Sequence, residues 1–293
     1  VLKNIKFTLI KLSHFLLSDK ISLRLIFLLK NKPLNLKIPT TFTDKLNYLK
    51  VYERKSIMSI LSDKILLKQH VRSIQGLFTA KIYFSDNKLP KQGFEYGLFN
   101  FNKKIVIKTN HFSGDARIID INDLYNEKKV KNINNYFGHF LKLNPYDYPL
   151  REWSYKNINK KLLIEEYLGD NLTDYKFFCF NGKPKLVHVV EDRRIKIKDY
   201  FLNLEWENLG FSMSKRSFLP NIVPQKPKLL PKMIEYASVL SKDLKFVRVD
   251  FYIVGDKIYI GEMTFYPWGG MFDFKSTDGK NWDKILGDML NIN

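Results

Sequence analysis

Two apolar runs, Phe246 to Val254 and Lys257 to Thr264, meet at Gly255-Asp256 and together satisfy their backbone groups as a β-hairpin. Apart from Lys257 at the turn and the tyrosines, the polar residues of those runs are Arg248, Asp250, Glu262 and Thr264. Residues two apart in a strand share a face, so Arg248 goes with Asp250 and Glu262 with Thr264. If the register aligns the strands, two carboxylates face one cavity. Hard oxygen donors of this kind are what Mg²⁺ takes, and the forked guanidinium of Arg248 suits a phosphoryl oxygen. The alternative is a salt-bridged pair of acids on a solvated sheet.

The rest of the chain reads as α+β. A helix is expected over Phe42 to Tyr52, capped by Thr41 or Thr43, and another from near Ser62 that stops by Gly76. Strands are expected at Phe78 to Phe84 and Lys104 to Lys108. Three more follow at Leu162 to Tyr167, Asp174 to Phe180 and Pro184 to Glu191, the last two joined by an Asn181-Gly182 turn. Pro231 to Leu240 reads as a helix with proline in its first turn.

Composition narrows the function classes. The 293 residues carry 49 Lys and Arg against 30 Asp and Glu, a formal net charge of +19, which favours polyanionic partners such as nucleotides, acidic glycans or anionic lipid. The single Cys179 excludes an intrachain disulfide and a multi-cysteine zinc site, and makes cytoplasmic the default location. Charges interrupt every apolar stretch, so none approaches the roughly 20 residues of a membrane span. Val1 to Lys30 reads as helices packing on the domain; a basic segment in peripheral contact with the inner membrane surface is the alternative. The chain starts without a Met, as a trimmed sequence would. A basic nucleic-acid-binding protein is a second alternative that would explain the charge; no zinc-finger, helix-turn-helix or RNA-recognition signature is present, so no nucleic-acid partner is expected. A glycosyltransferase using a nucleotide sugar is a further alternative, against which the lack of an Asp-x-Asp ligand pair counts.

Arg-x-Asp, a hairpin, then Glu-x-Thr resembles the metal-binding end of ATP-grasp enzymes, which usually carry Asn where this chain has Thr264. FYPWGGMFDF with Leu286-Gly287-Asp288 resembles the TupA-like ATP-grasp subfamily of bacterial surface-polysaccharide gene sets. Similar too are PTTFTDKLNYLK (39–50), SDKILLKQHV (62–71) and DYKFFCFNGKPK (174–185). The resemblance implies a nucleotide held between a small β-rich lid and a larger antiparallel-sheet domain. It suggests an N-terminal helical region over 1–62, a lid over 63–163 and a core with hinge and metal site over 164–293.

It implies cofactors and roles as well. Lys64 and Lys108 match lysines that contact ATP phosphates, and Lys108 and Arg248 take the catalytic positions. The loop after Lys108 corresponds to the phosphate-covering loop, with Ser113 and Gly114 as contacts; Phe112 and Asp115 depart from its usual glycine-rich pattern, and Asp115 repels phosphate unless it turns away. Glu165, Glu166 and Leu168 match the adenine hinge and Asp174 the ribose carboxylate, while Asp250, Glu262 and Thr264 match the Mg²⁺ ligands. The implied activity is carboxylate-amine ligation through an acylphosphate, joining an amino acid to a uronic acid or acidic glycan or peptide in capsule or O-antigen synthesis. Among the histidines only His111, beside the phosphate loop, is a functional candidate, with a structural role as the equal alternative. Tyr266-Pro267-Trp268 either stacks on a ligand or packs as a loop. Arg193 and Arg194 are candidate acceptor or phosphate contacts.

Overall fold

The computed structural model describes residues 17–95, 103–147, 150–191, 197–213 and 222–293. Arg193, Arg194, His14 and most of the basic N-terminal stretch lie outside them. Helices α1 (Asp19–Leu29), α2 (Phe42–Tyr52), α3 (Ser56–Ser62) and α4 (Lys64–His70) come first, and β1 (Leu77–Phe78) and β2 (Ile82–Asp86) follow. β3 (Lys104–Thr109), β4 (Arg117–Asp120), α5 (Glu127–Lys142) and β5 (Leu162–Glu166) come next. The chain continues through β6 (Asp174–Phe180), β7 (Lys183–Glu191), β8 (Lys198–Leu202), β9 (Phe211–Ser212) and α6 (Leu230–Ser241). It ends with β10 (Phe246–Val254), β11 (Lys257–Thr264), β12 (Lys275–Ser276) and α7 (Trp282–Met289).

The strands form a six-stranded sheet in the order β1-β11-β10-β6-β7-β8, a four-stranded sheet β2-β5-β3-β4 and a small pair β12-β9. All neighbours are antiparallel except β1 with β11. The expected strand over Phe78 to Phe84 is corrected: β1 joins the large sheet and β2 the small one, because the chain crosses from one to the other at residues 79–81. Helices α3, α5 and α7 were not anticipated. Among the described residues no helix is long and apolar enough to cross a membrane.

Alternation along β10 sets up the site. Val247, Val249 and Phe251 turn to the face covered by α6, where Cys179 also lies, fully buried and with its thiol pushed up to about 12 by that burial. Phe246, Arg248 and Asp250 turn to the opposite face. Near its end that face is closed by Phe42 of α2, whose ring stacks on Phe272 and meets Phe180 and Phe246 edge-on or tilted. With both faces covered, β6 buries nearly every side chain, each large apolar one contributing about 1.5–3 kcal/mol. A second core lies between the small sheet and α5, whose Val130, Ile133 and Phe137 meet Ile105, Ile107, Leu162 and Ile164.

Candidate active site

Strand register brings four polar side chains into one row across the large sheet. Glu262 of β11 faces Asp250 of β10, Asp250 faces Lys176 of β6, and Lys176 faces His188 of β7. Arg248 and Thr264 form the next pair along. Both Arg248 nitrogens Nε and Nη2 donate to Asp250 at 2.7 Å, and Nη2 also reaches Glu262 at 2.8 Å and Thr264 at 3.2 Å. Lys176 is pinned between Asp250, at 2.5 Å, and Asp174, at 3.4 Å. Burial alone raises the pKa of a carboxyl group, but the charges of Arg248 and Lys176 outweigh it and hold Asp250 well below the usual range. Burial pulls Arg248 down, and Asp250 and Glu262 more than reverse that.

This row forms one wall of a cavity of about 550 Å³. Arg248, Glu262, Thr264, Lys176 and His188 line it from the large sheet, and Lys64, Lys108, Ser113 and Gly114 line it opposite. Lys64 is buried, and its Nζ donates to the Phe112 carbonyl at 2.7 Å, while its backbone N–H donates to Asn110 at 3.1 Å. The residue before it, Asp63, caps α4 and accepts from Asn110 at 2.9 Å. The Asp63-Lys64 pair therefore ties the loop after β3 to a helix start. Asp115 turns away, its Oδ2 accepting from the Thr109 N–H at 2.7 Å and hydroxyl at 2.6 Å. That turn removes the repulsion anticipated for it.

An adjoining chamber of about 510 Å³ shares Lys108, Ala116, Tyr252 and Gly261 with the first. Glu165, Glu166, Leu168 and Asp174 line it, so the sequence-expected hinge and ribose positions meet in one space. Glu165 is buried between two lysines, Lys68 at 2.9 Å and Lys108 at 2.7 Å. Burial raises its pKa and the two lysines overcome that, leaving the carboxyl ionised. Its side chain thus holds Lys108 in place. Glu166 accepts from the Lys81 N–H at 3.1 Å, joining the residue before β2 to β5. Strand β5 is hydrogen-bonded within the small sheet.

His111 is buried, its ring Nε2 lies 3.1 Å from the Leu143 carbonyl and burial pulls its pKa down to about 4, which favours the structural of its two readings. His188 instead lines the cavity, stacked on Phe201 at 4.3 Å with Nε2 2.9 Å from Asp199. Tyr266 is buried in the core, and both it and Trp268 line the cavity. Trp268, Gly269 and Gly270 all have positive φ, at 50°, 61° and 71°. Lys68, Lys176 and His188 escaped sequence reasoning because only strand and helix pairing places them; the i, i+2 spacing of Lys176 from Asp174 was the one local signal.

Asp250, Glu262 and Thr264 offer hard oxygens, and Mg²⁺ is commonly held by one or two carboxylates with phosphate and water completing its shell. Among the described residues no three His, Cys, Asp or Glu side chains converge as a metal cluster, so phosphate and water would have to supply the remaining donors. Glu262 faces the cavity with 24% of its side chain exposed. Asp250 is fully buried, and contributes an oxygen only by exchanging a contact with Arg248 or Lys176. On those terms the donor set fits the ion.

A cleft walled by two largely antiparallel sheets, with Arg-x-Asp and Glu-x-Thr paired on one hairpin, is the arrangement expected of the ATP-grasp class. Within it, the chain belongs to the TupA-like ATP-grasp family, whose model matches residues 44–291. No curated protein matches the chain. Solved structures similar to it include D-alanine–D-alanine ligase from Bacillus anthracis complexed with ATP: 16% identity, 80% of this chain and 65% of that one, TM-score 0.44. The same enzyme from Helicobacter pylori shares 17% identity over 85% and 69%, TM-score 0.45. An L-amino acid ligase from Bacillus licheniformis shares 10% over 71% and 41%, TM-score 0.40. The chain thus spans less than two thirds of the two Bacillus enzymes.

Proposed function

We propose that this chain is an ATP- and Mg²⁺-dependent carboxylate-amine ligase that joins an amino acid to a uronic acid or acidic glycan or peptide in surface-polysaccharide synthesis. The observation that carries the reading is the pair of joined chambers. One has a hinge strand and buried carboxylates, and the other brings four cationic side chains around a carboxylate-bearing hairpin. Membership of the TupA-like family supports it independently.

In this reading the backbone at Glu165, Glu166 and Leu168 receives the adenine edge, and Asp174 lies on the ribose side. Lys64, Lys108 and the N–H groups at Ser113 and Gly114 hold phosphate oxygens. Residues 63–163 act as the lid, 164–293 as the floor and 1–62 as the supporting helical region. Mg²⁺, bound at Asp250, Glu262 and Thr264, supplies charge neutralisation on the phosphates. Arg248 and Lys108 stabilise the charge that develops as the acceptor carboxylate takes the γ-phosphoryl group. An amine then attacks the acyl carbon, an amide forms and phosphate leaves. No protein nucleophile takes part, in keeping with the inert setting of Cys179.

The test is phosphate release from ATP and Mg²⁺ in the presence of paired uronic acids and amino acids. Release that needs both partners, with an amide product by mass spectrometry, is expected. Release unaffected by every pair, or turnover of a UDP-sugar instead, contradicts the proposal.

A further inference from the structure

The charged groups around the larger cavity are almost all engaged. Lys64 holds Phe112, Lys108 holds Glu165, and Arg248 and Lys176 bind Asp250. Glu152 differs: it lines the same cavity, yet among the described residues no hydrogen bond or ion pair reaches its carboxylate. A carboxylate turned to a cavity with no hydrogen bond or contacting cation is costly unless a ligand completes it.

The surroundings fix what that ligand is. Glu152 precedes a 3₁₀ turn, Trp153–Tyr155, and its carbonyl accepts from the Tyr155 N–H at 3.1 Å. Tyr155 lines the cavity with Glu152 and Glu262, and its phenol is pushed up by burial and then by those two carboxylates. Leu150, two residues earlier, packs so closely on Gly269 that a Cβ there would lie 2.2 Å from it. The Glu152 segment is therefore fixed beside the Trp268–Gly269 wall. Lys50 is buried against the same wall, donating to Asn47 at 2.9 Å and the Gly269 carbonyl at 2.6 Å. Burial pushes the Glu152 carboxyl up, and the charge of Lys50 opposes this from beyond ion-pair contact.

We infer that Glu152 receives the amine substrate of the ligase: its carboxylate binds the substrate ammonium between Tyr155 and the Trp268–Gly269 wall and takes one of its protons. This rests on the ligase reading. The proton passes from nitrogen to the Glu152 carboxylate, freeing the lone pair. The C–N bond forms as the acyl C–O bond to phosphate breaks, the bonding pair leaves with phosphate, and the second nitrogen proton goes to the departing phosphate. A carboxylate poised between burial and a nearby lysine suits proton acceptance near neutral pH.

The experiment separates the two half-reactions. Glucuronate or galacturonate with ATP and Mg²⁺ is trapped by hydroxylamine, which is uncharged at neutral pH and needs no ammonium site; amide formation is followed with L-alanine, L-serine, L-lysine or L-glutamate. In Glu152→Gln, hydroxamate formation is expected to stay within about twofold of wild type while KM for the amine rises roughly tenfold or more. Glu152→Asp should fall between them and guards against a misfolded Gln variant. An unchanged amine KM in Glu152→Gln overturns the inference, as does an equal loss of hydroxamate and amide. Absence of hydroxamate from wild-type protein overturns the ligase reading itself.

Discussion

Lys176 shows how much of this site rests on a single side chain. Its ammonium touches both Asp174 and Asp250, and it is itself buried. Removing one partner of a buried charge pair leaves the others uncompensated, so Lys176→Met should lose about 3 kcal/mol of stability in urea unfolding. A loss under about 1 kcal/mol would mean that Arg248 alone compensates Asp250. His111 makes a pH prediction. Its folded pKa, about 4, lies below the unfolded 6.5, so its contribution is complete above about pH 6.5 and is lost as pH falls towards 4. Between about pH 7 and about pH 5 this amounts to roughly 2 kcal/mol, with His188, also pulled down by burial, acting in the same direction. Unfolding curves at the two pH values check it, and His111→Gln should flatten the difference. Arg248, Asp250, Glu262 and Thr264 were legible in the sequence because one hairpin aligns them. Lys176 and Asp250 are 74 positions apart, and their contact is invisible to local spacing.

At the scale of elements, α7 docks on the start of α2. Asp283 accepts from the Thr43 N–H at 2.8 Å, and Lys45 donates to the Gly287 and Leu290 carbonyls at 2.7 and 2.8 Å. Gly287 allows the approach: a Cβ there would lie 2.5 Å from the Thr40 carbonyl oxygen. Gly287→Ala should therefore cost about 1–3 kcal/mol and loosen α2, which carries Asn47 and Lys50 to the Gly269–Gly270 turn. Thermal unfolding measures the first effect, and Trp268 fluorescence the second; an unshifted midpoint would show that the helices can part freely. The Leu286-Gly287-Asp288 motif thus has a packing reason. Helix α2 and the two hairpins were readable because caps and turn residues mark them: Thr41 with Asp44 makes a capping box, and Asn181 and Gly182 have φ of 49° and 77°. Helix α5 went unread although Val130, Ile133 and Phe137 bury one side, because polar residues fill the rest of its surface.

Taken whole, the molecule brings two sheets of different size together around joined chambers, with Lys108 and Gly261 on the shared border. The α+β class was legible in the sequence. The crossing of residues 79–81 between sheets was not, since two short strands in different sheets read as one continuous apolar run. The central claim is a Mg²⁺-dependent nucleotide site at the β10–β11 hairpin. Its most direct measurement is titration of the purified protein with a non-hydrolysable ATP analogue, with and without Mg²⁺, beside Asp250→Asn and Glu262→Gln and with a UDP-sugar as control. The account predicts Mg²⁺-dependent binding of the analogue, weakened roughly tenfold or more in both variants, and none of the UDP-sugar. Folded wild-type protein that ignores the analogue, or prefers the UDP-sugar, would contradict it.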